Sequence, residues 1–248
     1  MIDLHNHLLP GIDDGAPDLE TAVALARVAA GDGITHSVCT PHIHAGRYDN
    51  TPHRIQVALQ GLREALAEEQ IPLQLAYAAE VRIGPELLGA LRQNALPFLG
   101  RWNDQDVLLL ELPHSHVPVG SDNLTRWFRT QNILPMIAHP ERNKGIMERP
   151  SRLRPFLEQG CLIQITAGSV SGHFGPRAQD LAEELLSNGQ VTIMASDAHN
   201  LNHRPPILTE GRDAAARLIG AAAAERLVLE TPWRIAQSHF EQDGSAHA

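Results

Sequence analysis

MIDLHNHLLPGIDDG (residues 1–15) sets two histidines one residue apart after a short apolar run, with an aspartate pair close behind. In an extended chain alternate residues face the same side, so His5 and His7 project together. Pro10 and Gly11 then turn the chain out of the strand. Two imidazoles with Asp14 nearby read either as the opening of a metal site or as a polar strand end. The choice depends on whether the same pattern recurs.

It recurs along the chain. Short β-like runs fall at 2–5, 34–40, 73–81, 107–112, 134–139, 161–166 and 191–196. Helical patterns separate them. The first, at 18–30, is expected to stop at Gly31 and Gly33. The second starts with Thr51 as cap and Pro52 in the first turn, and runs to about Glu69. Others cover roughly 85–93, 121–131, 151–159, 176–188 and 207–228. Strands alternating with helices argue for a parallel sheet. With no linker in evidence, the economical closure is a single α/β domain over 1–231, a distorted (β/α)7 TIM-like barrel. The runner-up is an open doubly wound sheet. The tail, 232–248, is expected to fray.

The 248 residues suit one barrel, and 43% hydrophobic content supplies its core. No apolar run reaches the roughly 18 residues of a membrane span, and the N-terminus shows no signal core. A cytoplasmic protein, not embedded in a membrane, is expected. Cys39 and Cys161 offer no disulfide framework. The net charge of −9 argues against nucleic acid as a partner. Arginine dominates the cations, with Lys144 the single lysine.

Polar residues with ligand chemistry gather at the C-terminal ends of the strand runs. They are His5 and His7, then His42, Glu80, Glu111, His139, and finally Asp197 with His199. A parallel barrel builds its active site at that end. A core histidine explains any one of these placements, but not their repetition. With Asp14 they make nine candidate metal ligands. One ion needs only four to six, so nine imply two or three divalent ions. The donors are all nitrogen and oxygen, which suits manganese, iron or zinc. Asp14, Glu80, Glu111 and Asp197 would together carry about −4, costly in one cleft unless cations neutralise it. Three divalent ions would leave about +2 and draw an anionic substrate. Such a cluster makes hydroxide from bound water and neutralises phosphoryl oxygens. Arg142 and Arg204 lie just beyond His139 and His199, with the fork geometry that suits phosphate.

HNHLLPGIDDG, TPH, the Glu80 strand end, AHPERN, QITAGSVSGHFG and SDAH, in this order, resemble the PHP (polymerase and histidinol phosphatase) superfamily. Within it the chain is most similar to the bacterial manganese-dependent tyrosine-protein phosphatases of capsule and exopolysaccharide gene clusters. The likeness runs from residue 1 to about residue 230. It implies a distorted seven-stranded barrel and a three-metal site on the nine positions. It also implies that Arg142 and Arg204 hold the phosphate. The substrate implied is phosphotyrosine on a tyrosine kinase that controls polysaccharide export, attacked by a metal-bridging hydroxide. Asn6 stands where the family often has Cys, and should point away from the ligands. Asn143 stands where an aromatic residue is common, which bears on the pocket rim.

Other chemistries fit less well. A cysteine-dependent phosphatase needs Cys-x5-Arg, but Ala45 and Ala167 occupy the sixth positions after the two cysteines. Lys144 is poorly placed for a bridging modified lysine or a phosphate loop. His36 reads as a locally bonded strand residue. His44, His114, His116 and His173 are weaker pocket candidates. Another PHP phosphoesterase, such as a histidinol-phosphate phosphatase, stays open, as does a non-catalytic metal-stabilised scaffold. So do the general acid and a homo-oligomer built on helix 207–228.

Overall fold

The protein is described here by a computed structural model covering residues 1–241. Among these residues ten strands follow in order: β1 Ile2–Asp3, β2 His36–Cys39, β3 His42–Ile43, β4 Gln74–Tyr77 and β5 Glu80–Arg82. The others are β6 Gly100–Trp102, β7 Gln105–Glu111, β8 Ile133–Ala138, β9 Leu162–Thr166 and β10 Ile193–Ala195. Two of the expected runs are each divided. Residues 34–40 give β2, which stops before Pro41, and β3 then starts at His42. Residues 73–81 give β4 and β5, parted by Ala78 and Ala79. A proline has no N–H to give a ladder, which breaks the regular pairing there.

The pieces stay in step. β2 pairs with β4 and β3 pairs with β5, both parallel. One sheet runs β1-β2-β4 and the other β10-β9-β8-β7-β5-β3. The last gap closes where the chain beyond β1 meets the chain beyond β10. The Asp197 amide donates to the His5 carbonyl at 2.7 Å, and the His7 amide to the Ala198 carbonyl at 2.8 Å. With β2–β3 and β4–β5 each counted as one stave, the result is a closed parallel barrel of seven staves. β6 is an antiparallel addition beside β7.

Helices wrap the outside. α1 (Leu19–Gly31) is capped by Asp18, whose carboxylate accepts from the Thr21 amide at 2.8 Å, a cap that contributes about 1 kcal/mol. It passes through Gly31 and ends at Asp32. α2 (Pro52–Glu68) starts from Thr51 with Pro52 in its first turn, as its sequence indicated. Ala22, Leu25, Ala26 and Ala29 of α1 and Ile55, Leu59, Leu62 and Leu66 of α2 follow helical spacing and are buried. α3 (Leu87–Arg92) and α4 (Ser121–Thr130) follow, then the short α5 (Lys144–Glu148), α6 (Arg154–Glu158) and α7 (Ala167–Val170). α8 (Pro176–Ser187) leads to β10. The expected helix 207–228 is two, α9 (Thr209–Ile219) and α10 (Ala221–Val228), broken at Gly220 with φ 85°. Their inner faces, including Ala214, Ala215, Ala224, Leu227 and Val228, are buried within this chain.

The expected frayed tail needs correction. Residues 230–241 form α11 (Glu230–Glu241). Ile235 and Ala236 enter the inner cluster with Ile2, Val38, Leu109 and Met136. Burying Ile235 contributes roughly 1.5–3 kcal/mol toward holding the helix down, alongside Ala236, Trp233 and Phe240 in the same cluster. Gly100 makes room for it, since a Cβ there would lie 2.0 Å from the Ile235 carbonyl oxygen. α11 therefore plugs the N-terminal end of the barrel and leaves the opposite end for the polar residues. The remainder of the expected tail, 242–248, lies outside the described residues.

Candidate metal centre

At the C-terminal end of the barrel the chain brings all nine expected ligands together. They form four overlapping groups: His7, Asp14, His42 and His199; His5, His7 and Glu80; His5, His139 and Asp197; and His42, Glu80 and Glu111. Within each group one ligand atom per residue lies within 4.8 Å of the others. Glu80 is the hub. Its Oε2 is 2.9 Å from His42 Nδ1 and 3.4 Å from Nε2 of both His5 and His7, and its Oε1 is 2.8 Å from His139 Nε2. Asp197 Oδ1 lies 3.3 and 3.4 Å from the same two Nε2 atoms. Asp14 reaches His42 at 3.3 Å and His199 at 3.7 Å.

Among the described residues, six of these buried atoms have no hydrogen bond of good geometry: Nε2 of His5 and His7, Nδ1 of His42, Oε2 of Glu80 and Glu111, and Oδ1 of Asp197, with Glu111 Oε2 also 3.0 Å from the Arg82 Nε in an ion pair. Buried polar atoms without a well-formed hydrogen bond are costly, and these six converge, as nitrogen and oxygen atoms that offer lone pairs to a cation once deprotonated. A divalent cation satisfies such a set, and the nitrogen and oxygen chemistry fits manganese, iron or zinc.

The backbone is bent to serve this end. His139 and Asp197 hold positive φ, 32° and 50°, one and two residues past the ends of β8 and β10. Such conformations cost about 1–3 kcal/mol each and persist where packing enforces them.

Protons occupy the cluster in the metal-free protein. Burial opposes charge on His42, but the Glu80 carboxylate overrides it and lifts the ring to about 9. Burial and then the Glu80 charge push Glu111 up to about 7. His139 is lowered to about 4 by burial and by Arg142, and His199 to about 3 by burial and by His7. Burial resists ionisation of Asp197, but Arg204, His5 and Arg142 hold it well below the usual carboxylate range.

Arg142 and Arg204 arrive as expected beside the cluster. Both guanidinium groups bond to Asp197 Oδ2, leaving Oδ1 facing the histidines. They line a cavity of about 120 Å³ together with Asp14, Glu80, Glu111 and His114.

Two residues of the site escaped the sequence reading. Asp13 Oδ2 sits 2.7 Å from His7 Nδ1, and Gln164 Oε1 sits 2.9 Å from His5 Nδ1 while accepting the His139 amide at 3.2 Å. Each fixes a ring so that its Nε2 faces the cluster. Arg82 and Arg47 also line the cavity. Among the weaker candidates, His114 lines the cavity, whereas His44 belongs to none of the four groups and His116 bonds Ser115. His173 pairs with Glu210 at 3.3 Å, and His36 with the Thr35 hydroxyl at 2.9 Å. Asn6 gives its amide to Ser37 and to the Val38 carbonyl. Asn143 caps α5 and donates to the Pro113 and His116 carbonyls, so this rim residue also ties two loops together.

The family model described as capsular polysaccharide synthesis, CpsB/CapC, matches residues 1–237. The chain belongs to this family. Among CpsB/CapC relatives, the tyrosine-protein phosphatase YwqE of Bacillus subtilis is 38% identical over 204 residues, 82% of this chain and 79% of that protein. The tyrosine-protein phosphatase CpsB of Streptococcus pneumoniae is 30% identical over 244 residues, 95% of this chain and 98% of that one. A solved chain from the crystal structures of YwqE of Bacillus subtilis and CpsB of Streptococcus pneumoniae, described as unique metal-dependent tyrosine phosphatases, superposes with a TM-score of 0.89 at 34% identity, covering 96% of this chain and 95% of that one. An organophosphorus hydrolase mutant, 14% identical with a TM-score of 0.57 over 95% of this chain and 92% of its own, shares the fold alone. The CpsB/CapC match embraces every strand that carries a candidate ligand.

Proposed function

We propose that this CpsB/CapC chain is a metal-dependent protein-tyrosine phosphatase. The observation that carries the reading is the convergence of six orphaned donor atoms beside two arginines that share one carboxylate. The names of its relatives support the activity.

His5, His7, Asp14, His42, Glu80, Glu111, His139, Asp197 and His199 would hold two or three divalent ions, with manganese the first choice among metals that accept this donor set. When bound, the ions supply a nucleophilic water near neutral pH and neutralise charge on phosphoryl oxygens. The chain's own residues do the rest. Asp13 and Gln164 hold His7 and His5 in the tautomer that presents Nε2. Asp197 Oδ2 gathers Arg142 and Arg204 at the edge of the cluster. Both arginines line the cavity, where N–H groups not bonded to Asp197 would bind phosphoryl oxygens and stabilise the charge of the transferring group.

Neither cysteine serves as nucleophile. Burial pushes the Cys161 thiol up to about 11, and the Cys39 thiol is also raised by its burial.

The substrate proposed is a phosphotyrosine protein, a bacterial tyrosine kinase of polysaccharide synthesis, in keeping with the family's description. Among the described residues no helix is long and apolar enough to cross a membrane. The cytoplasm is the proposed compartment, where two free buried cysteines are at home.

The test is turnover by manganese-loaded protein on a phosphotyrosine peptide, a phosphoserine peptide and histidinol phosphate. Preference for phosphotyrosine is expected. Activity confined to histidinol phosphate would overturn the substrate assignment.

A further inference from the structure

The segment QITAGSVSGHFG (164–175) supplies no metal ligand, yet it lies against the site at three points. Gln164 orients His5 and His139. Beyond it, the fully buried Glu141 carboxylate accepts the Thr166 amide at 2.9 Å and the Ser169 hydroxyl at 2.7 Å. Glu141 is the residue before Arg142, in the turn Pro140–Arg142. Its carboxylate thus pins that turn to the start of α7. Finally, the Phe174 ring lies under the Arg142 guanidinium, 4.2 Å from centroid to Cζ.

The ring reaches this position because of its neighbours. Gly168 lies directly beside it, and an added Cβ would come 3.0 Å from Phe174 Cε2. The His173 amide donates to the Gly168 carbonyl at 2.8 Å, folding the loop back on α7. Gly172 and Gly175, at φ 88° and 84°, make the bends on either side. Leucine or valine at 174 would fill space without offering a negative ring face.

Arg142 therefore has three constraints: the Glu141 anchor through the backbone, the Phe174 face below and Asp197 at one N–H edge. A guanidinium held by its face and one edge keeps its other N–H groups free in a fixed plane. That is the arrangement bidentate phosphate binding requires.

We propose that Phe174 and Glu141 are positioning residues that set the plane of the Arg142 guanidinium for the phosphoryl group. The proposal rests on the reading that Arg142 binds the phosphoryl group. Neither Phe174 nor Glu141 touches substrate in it.

The experiment measures KM, kcat and the inhibition constant for inorganic phosphate on manganese-loaded protein, with a phosphotyrosine peptide as substrate. The variants are Phe174→Leu, Phe174→Tyr, Ser169→Ala, Arg142→Ala and the Phe174→Leu, Arg142→Ala pair. Phe174→Leu should raise KM and the phosphate constant together by roughly two- to ten-fold, the span of a cation–π contact, with bound metal unchanged. Phe174→Tyr keeps the ring and should stay within about two-fold of wild type. Ser169→Ala removes one anchor of Glu141 and should move the same two constants in the same direction. In the Arg142→Ala background, Phe174→Leu should add nothing. Unchanged constants in Phe174→Leu, with both raised in Arg142→Ala, would overturn the positioning role alone. An equal effect of Phe174→Leu with and without Arg142 would do the same. Unchanged constants in Arg142→Ala would overturn the reading beneath it.

Discussion

Asp13 Oδ2 lies 2.7 Å from His7 Nδ1, and the same oxygen accepts the His42 backbone amide at 3.1 Å. One carboxylate outside the ligand groups thus orients one candidate ligand and anchors the strand that carries another. Partners of this kind tune metal affinity without touching metal. Asp13→Asn should weaken manganese binding by about 10- to 100-fold. Calorimetric titration of metal-stripped protein measures it, and an affinity within about two-fold of wild type would remove Asp13 from the site's support.

Gly15 makes the tightest approach in the same loop. A Cβ there would lie 2.0 Å from the His7 carbonyl oxygen and 2.5 Å from His7 Cβ. Backbone cannot yield as a flexible side chain can, so Gly15→Ala should cost about 1–3 kcal/mol of stability and displace His7. Denaturant unfolding gives the first effect and metal titration the second. A variant with wild-type values in both would show that the loop relaxes freely.

The reading of the sequence reached these residues unevenly. Eight of the nine candidate ligands were legible because they lie at the ends of strand runs, with Asp14 close behind the first, and the barrel topology brings strand ends together. Asp13 was not, because two adjacent aspartates look alike in sequence and the turn alone decides which meets a ring. Gln164 sits inside an apolar run, where a neutral amide carries no signal of ligand chemistry; only its fully buried position against His5 discloses it. The splits at Pro41 and at Ala78–Ala79 leave the hydrophobic pattern intact, so one continuous strand was the natural reading. α11 was hidden by the polar residues around Ile235 and Ala236, whose value depends on the open barrel end they fill.

Arg204→Ala should separate substrate binding from metal binding. Its guanidinium bonds Asp197 Oδ2, and Arg142 remains on that oxygen in the variant. Metal content should stay at the wild-type level while KM for a phosphotyrosine peptide rises about 10- to 100-fold. Metal analysis with steady-state kinetics tests this. Loss of metal would mean that Arg204 acts by holding Asp197 and not the phosphoryl group.

The far end of the barrel should respond to acid. His36 packs against Trp233 and Phe240 of α11, and His239 Nε2 lies 3.2 Å from the Phe98 carbonyl oxygen. Burial lowers both rings, with the N-terminal ammonium adding to the effect on His36. Both are held neutral in the fold, while the unfolded chain takes up protons near pH 6.5. Their contribution is complete above about pH 6.5 and is lost as pH falls below it. Thermal unfolding of wild type should therefore drop more between about pH 7 and about pH 5 than that of a His36→Phe, His239→Gln variant. Parallel curves for the two proteins would contradict this role.

Bound metal and phosphotyrosine turnover should be measured side by side in wild type and Asp197→Ala, each stripped and then given manganese. Asp197 faces two histidines with one oxygen and two arginines with the other, so it joins both halves of the proposed site. The expected result is a wild type that regains metal and turnover together, and a variant that regains neither. Full activity in metal-free Asp197→Ala protein would contradict the assignment of this cluster as the catalytic centre.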